Sequence, residues 1–76
     1  MKKREEIRQN NKVILHSSDG ISISIIFRNL TGKSIKGEEY SNYIKYVAIN
    51  EMGFEYGKIE YFVNGDLKEK GEIKPT

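Results

Sequence analysis

From Ile21 to Phe27 the apolar residues fall on every second position, with Ser22 and Ser24 between them. Alternation of period two predicts a half-buried strand. Upstream, Lys12-Val13-Ile14-Leu15-His16 is a second apolar run, and Ser17-Ser18-Asp19-Gly20 between the two predicts a hairpin. A three-residue loop, Ser18-Asp19-Gly20 with Gly20 left-handed, puts Val13 and Leu15 on the face of Ile23 and Ile25. A two-residue loop would turn Lys12 and His16 inward instead.

The period changes farther along. Tyr40, Tyr43, Ile44, Val47, Ala48 and Met52 recur at helical spacing, which predicts an amphipathic helix over 38–52. Glu38 and Glu39 suit its positive first turn, Gly53 suits the left-handed position just past its end, and Phe54 can close the accompanying hydrophobic contact. The stretch Tyr43 to Ile49 is also rich in strand-forming residues. A second hairpin is predicted from Tyr56 to Ile73 around Asn64-Gly65. A two-residue loop there sets Glu60 opposite Glu69, an unfavourable pair. A three-residue loop Val63-Asn64-Gly65 sets Glu60 opposite Lys68 and gathers Ile59, Tyr61, Leu67 and Ile73 on one face, so that register is expected.

These elements give an α+β fold: two antiparallel β-hairpins flanking one helix (ββαββ), with the helix packed on one face of the sheet. If 38–52 is a strand, the alternative is an all-β five-stranded small barrel. Residues 1–11 are expected to be a basic N-terminal tail or short helix, and 12–74 a single α+β domain.

Composition narrows the picture. A chain of 76 residues has room for one core, burying about 60% of the surface its unfolded form exposes. With no cysteine, neither disulfides nor a thiolate zinc site supports that core, and homo-oligomerisation is one way to extend it. Met1-Lys2-Lys3-Arg4 is like the start of an export signal, but Glu5-Glu6 stands where an apolar stretch should begin. The expected location is the cytoplasm, bacterial or that of a host if the chain is phage-encoded; the richness in Lys, Ile, Asn, Glu and Tyr suits an AT-rich bacterial or phage genome. No membrane-spanning run is present in the sequence.

The net charge is +2, but Lys2, Lys3, Arg4, Arg8 and Lys12 against Glu5 and Glu6 place +3 in the first twelve residues, leaving −1 for the remainder. A nucleic-acid binder draws affinity from many cations on one face, which this body lacks.

Gly32-Lys33-Ser34 has the ending of a phosphate-binding loop, yet Phe27 stands where that motif needs its first glycine. What remains is a basic loop, with Arg28, Lys33, Ser34 and Lys36 as the expected anion-binding residues. His16 is the sole histidine, and its neighbours Ser17, Ser18 and Asp19 splay around a turn, so no catalytic triad is expected. In the expected register His16 shares a face with Ser22 and Ser24. The acids are dispersed among lysines, and neither a metal site nor a cofactor is expected.

On the predicted helix Tyr46 and Ile49 lie opposite the core stripe, and Phe62 lies on the outer side of its strand. These three are the expected partner-interface residues. The expected function is a small non-enzymatic protein-binding module, of the kind that serves a phage or mobile element as an inhibitor or regulator of a host protein. The alternative is a nucleic-acid or anionic-ligand binder using the basic loop.

Overall fold

In the computed structural model, which describes residues 3–19 and 22–75, the chain first reverses at Asn10-Asn11, whose φ values of 53° and 65° are both left-handed. Asparagine tolerates that region, and two such residues in succession make the turn that matches the twist of paired strands. The turn joins β1 (Glu5–Gln9) to β2 (Lys12–Ser17). The tail or short helix expected over 1–11 is thereby corrected, because Glu5–Gln9 is an inner strand paired on both sides. Met1 and Lys2 lie outside the described residues.

The strand expected from Ile21 to Arg28 is also corrected, since Ser22–Leu30 is a helix, α1. Its apolar residues satisfy both periods: Ile23, Ile26, Phe27 and Leu30 stand at i, i+3, i+4 and i+7, the stripe of an amphipathic helix. The ends decide between them. Asp19 accepts from the Ser22 N–H through Oδ1 at 2.9 Å and is also bonded to the Ser22 hydroxyl, as an N-cap side chain does. At the other end Gly32, with φ 79°, completes a Schellman cap: Lys33 N–H donates to Arg28 O at 2.7 Å and Gly32 N–H to Asn29 O at 3.3 Å. Gly32 is therefore a helix terminator. The turn expected at Gly20 and the strand position expected of Ile21 fall outside the described residues.

The second helix, α2 (Glu38–Val47), runs into a π-helical turn at Ala48–Met52 and ends at Gly53, φ 96°. Gly53 and Phe54 N–H both donate to Ala48 O, and Phe54 is buried. Then follow β3 (Gly57–Val63) and β4 (Asp66–Ile73), joined by a two-residue left-handed turn at Asn64-Gly65. The three-residue loop expected there is corrected. The like-charge clash that argued for it is removed by a β-bulge: Phe62 faces Leu67 and Tyr61 faces Glu69, so Lys68 is the extra residue and Glu60 comes opposite Lys70.

The whole is a small α+β fold, with a four-stranded antiparallel sheet in the order β2-β1-β3-β4. The two helices lie between β2 and β3 in sequence, so the order is ββααββ, with one more helix than expected and a different first hairpin. The barrel alternative is overturned by the open sheet, whose edges are β2 and β4. Ile7, Ile59 and Ile73 from the sheet meet Ile23, Phe27, Leu30, Ala48 and Phe54 in one buried cluster; each of the larger side chains contributes about 1.5–3 kcal/mol by leaving water. Between the helices the buried Asn29 donates to Ile25 O at 2.8 Å and meets Ser41 Oγ at 3.5 Å.

The end of α1 sits directly on β4. A Cβ added at Gly71 would collide with the Thr31 methyl and lie 3.3 Å from Phe27 Cζ. Gly71→Ala should therefore lower stability by about 1–3 kcal/mol. Adding Thr31→Ser, which removes the methyl and keeps the hydroxyl, should recover part of that loss. Urea unfolding of the two variants checks it, and an undiminished midpoint in Gly71→Ala contradicts this packing.

Candidate functional site

The connection from α1 to α2 borders an open cavity of about 230 Å³ lined by Ile25, Arg28, Asn29, Lys33, Ser34, Ile35, Lys36 and Tyr40. All four residues expected to bind an anion line it. Their states differ. Lys33 Nζ is engaged by Glu69 Oε2 at 2.7 Å. Ser34 Oγ accepts from Lys36 N–H at 3.1 Å, and Lys36 Nζ sits 5.1 Å from the centre of the Tyr40 ring. Among the described residues neither Arg28 nor Lys36 has an acid within ion-pairing distance. Arg28 is in the last turn of α1, where an arginine commonly donates to the terminal carbonyls. Here three of those carbonyls are already occupied: Phe27 O by Thr31 N–H and Oγ, Arg28 O by Lys33 N–H, and Asn29 O by Gly32 N–H.

A larger depression, about 460 Å³, crosses β3 and β4 and includes Lys58, Glu60, Lys70 and Glu72. The register sets Lys58 against Glu72 and Glu60 against Lys70, and Lys33 and Lys74 line it as well, Lys33 being engaged by Glu69. The smaller cavity is the one that sets its cations, Arg28 and Lys36, beside Ile25, Ile35 and Tyr40.

The three expected interface residues do not form one surface. Tyr46 is exposed on α2, at 64%. Ile49 is corrected: it packs against the core cluster, because the buried side of α2 runs through Ser41, Ile44 and Ala48, with Tyr43 and Tyr46 turned to solvent. Phe62 is on the face of the sheet away from the helices, since its neighbour Tyr61 contacts Phe27 with ring centres 5.5 Å apart. There it is half-buried under the Arg8 guanidinium, 4.0 Å from the ring centre. Tyr43, expected in the core stripe, is 62% exposed.

Sequence reasoning missed the apolar side of the site. Ile35 is 94% exposed and Ile25 and Tyr40 line the cavity beside it. From there Tyr40, Tyr43 and Tyr46 succeed one another at three-residue spacing along α2, adjacent positions on a helix. The repeat was visible in the sequence; the assumption that aromatics at helical spacing face the core hid it.

The polar groups of the sheet are committed to structure. Glu6 is buried and receives Arg4 Nε at 2.7 Å and Arg8 Nη2 at 2.6 Å. Tyr61 donates its hydroxyl to the buried Glu5 carboxylate. His16 is opposite Glu6 on the exposed β2 edge, and not on a face with Ser22 and Ser24, which belong to α1. Among the described residues no group of three His, Cys, Asp or Glu side chains is placed to hold a metal, and no helix is long and apolar enough to cross a membrane.

Residues 4–74 match a protein family described as Domain of unknown function (DUF7688). The chain belongs to that family. No curated protein and no solved structure matches it significantly.

Two titrations follow from the sheet. The hydrogen bonds from Arg4 and then Arg8 hold the Glu6 carboxyl below its usual value, outweighing burial. A depressed carboxyl stabilises the fold above its unfolded pKa and ceases to as pH falls through the folded value. On acidification below 4.5 the parent should therefore lose more stability than Glu6→Gln, measured as the shift of urea midpoints. Tyr61 moves the other way: burial first, and then the hydrogen bond to Glu5, push its phenol from 10.0 up to about 12. Its contribution is complete below 10.0 and disappears as pH rises towards 12. Phenolate absorbance should show a late step that is missing in Tyr61→Phe; a late step that persists in the variant belongs to another tyrosine.

Proposed function

We propose that the chain is a non-enzymatic protein-binding module whose contact surface is the outer side of its helical layer. The observation that carries this is the exposure of Ile35, Tyr43 and Tyr46, at 94%, 62% and 64%, on one loop and the helix that follows it. Tyrosine supplies large contact area at small entropic cost and is enriched where partners dock. Scattered apolar residues need no explanation, but adjacent ones rimmed by polar groups mark a docking surface. His16, the residue best suited to acid–base chemistry, is on β2 and does not line the cavity. In this reading the module works by occupying its partner's surface, as an inhibitor or regulator of a cytoplasmic protein does.

The test is site-specific crosslinking in the source cell. A photoreactive phenylalanine in place of Tyr46 should yield a discrete protein adduct, and the same group in place of Lys70, on the opposite face, should not. The double variant Tyr43→Ala, Tyr46→Ala should weaken capture of that protein by tenfold or more, since truncating a central aromatic costs roughly 2 kcal/mol or more. Its unfolding free energy should stay within about 0.5 kcal/mol of the parent, as expected of exposed positions. Equal adducts from both positions, or undiminished capture by the double variant, overturn the proposal.

A further inference from the structure

Resting on the protein-binding reading of the helical layer, we propose that the cavity beneath the α1–α2 loop is an anchor site for a carboxylate carried next to an apolar side chain: an Asp or Glu adjacent to an aliphatic residue in the partner's segment. Three donors converge on the cavity. The Arg28 guanidinium has no ion-pair partner among the described residues, and the Schellman bonds already occupy two of the carbonyls at the end of α1. The Lys36 ammonium rests over the Tyr40 ring without an acid among the described residues. The Ser34 hydroxyl accepts from Lys36 N–H, which leaves its proton to donate. Arginine's planar fork binds a carboxylate through two parallel hydrogen bonds, and these charge-assisted bonds are about twice as strong as neutral ones. Around the donors stand Ile25, Ile35 and Tyr40, which offer an apolar wall to whatever carries the carboxylate.

Size and charge select this occupant. The volume of about 230 Å³ falls below the range of roughly 300–1,000 Å³ common for sites that enclose a whole small molecule, and it suits one or two side chains. A nucleic-acid strand is disfavoured by the same surroundings. Two unpaired cations remain once Lys33 is held by Glu69, Glu38 and Glu39 follow at once in the first turn of α2, and phosphate-backbone affinity requires many neutralising contacts. The partner segment thus needs one negative charge and an apolar neighbour.

The test uses the 76-residue chain labelled with ¹⁵N and three probes: N-acetyl-Asp-Leu-amide, the matching Asn-Leu peptide, and hexathymidylate. The Asp-Leu peptide should shift the amides of residues 25–40 saturably, with a dissociation constant on the order of millimolar, and the Asn-Leu peptide should bind at least about tenfold more weakly. Arg28→Gln combined with Lys36→Gln should remove the shifts while the remaining spectrum stays that of the folded protein; both side chains are exposed, so the fold does not depend on them. Equal binding of the two peptides, shifts centred elsewhere, or hexathymidylate saturating residues 25–40 more tightly than the acidic peptide overturns the proposal. If the peptide fails while the crosslink at position 46 persists, the anchor is wrong and the docking surface stands. If the peptide saturates the cavity and no crosslink forms, the carboxylate site stands and the protein-binding reading falls.

Discussion

Strand β1 must supply the inner ladder for both hairpins, yet among Glu5, Glu6, Ile7, Arg8 and Gln9 only Ile7 is apolar. A polar side chain at the centre of a sheet is tolerated only when its hydrogen-bonding groups are met. Gln9 meets the requirement most fully: Nε2 donates to Glu55 O at 2.8 Å and Lys58 O at 3.3 Å, and Oε1 accepts from Glu55 N–H at 2.8 Å. Those bonds fasten the segment that leads from α2 into β3, so the end of β1 also fixes where α2 begins its return to the sheet. Glu6 is answered by two arginines and Glu5 by Tyr61, although Glu5 Oε2 is buried without a hydrogen-bond partner. The position of the exposed tyrosines therefore depends on a strand that is charged for most of its length.

The two hairpins share one design. Each turns through two left-handed residues, Asn10-Asn11 or Asn64-Gly65, and each has its bulge at the third residue of the outgoing strand, Ile14 or Lys68. Ile7 and Tyr61, each third before its turn, pair with one another at the middle of the sheet. The backbone of the four strands is consequently related by a pseudo-two-fold axis through that pair. Side chains follow it in part: Arg8 and Phe62 are equivalent and touch across the axis, and Val13 and Leu67, also equivalent, are exposed at 42% and 45%. Both edge strands carry a bulge, which twists an edge away from pairing with another chain. The helices break the symmetry, since both lie on one face, and that makes the two faces chemically different.

How much of this was legible depends on whether one physical signal ruled each segment. The helix over 38–52 was readable because spacing, acidic first turn and terminal glycine agreed. For Ser22–Leu30 the period was ambiguous, and the caps at Asp19 and Gly32, both plain in the sequence, held the answer. Glu5–Gln9 carried almost no hydrophobic signal, because its burial rests on partners distant in sequence, Tyr61 for Glu5 and the Glu55 to Lys58 backbone for Gln9. In the β3–β4 hairpin the clash of Glu60 with Glu69 was real, but the chain avoids it with a bulge where a longer loop was expected. The basic loop was legible as a cluster. That Lys33 is spent on Glu69 was not, because the pair spans separate elements. Ile49 was misplaced because the tyrosines were given the core side of the helix, whereas the buried stripe passes through the polar Ser41 and the small Ala48.

The two faces differ in how their charges and apolar groups are used. On the open face Glu6 bonds Arg4 and Arg8, Arg8 covers Phe62, and acids stand opposite lysines between β3 and β4. Its exposed apolar groups, Val13 and Leu67, lie beside Arg8 and Phe62. The helical layer is different: among the described residues Arg28 and Lys36 have no ion-pair partner, they stand beside Ile25, Ile35 and Tyr40, and Tyr43 and Tyr46 follow along α2. Folding does not call for this arrangement, because an apolar side chain that stays in water contributes nothing through burial, and polar residues at these positions would serve solubility better. The chain invests inner-strand polar bonds in holding α2 in place and leaves the aromatic side of α2 in solvent, and it is this contrast that the proposed protein-binding reading takes up.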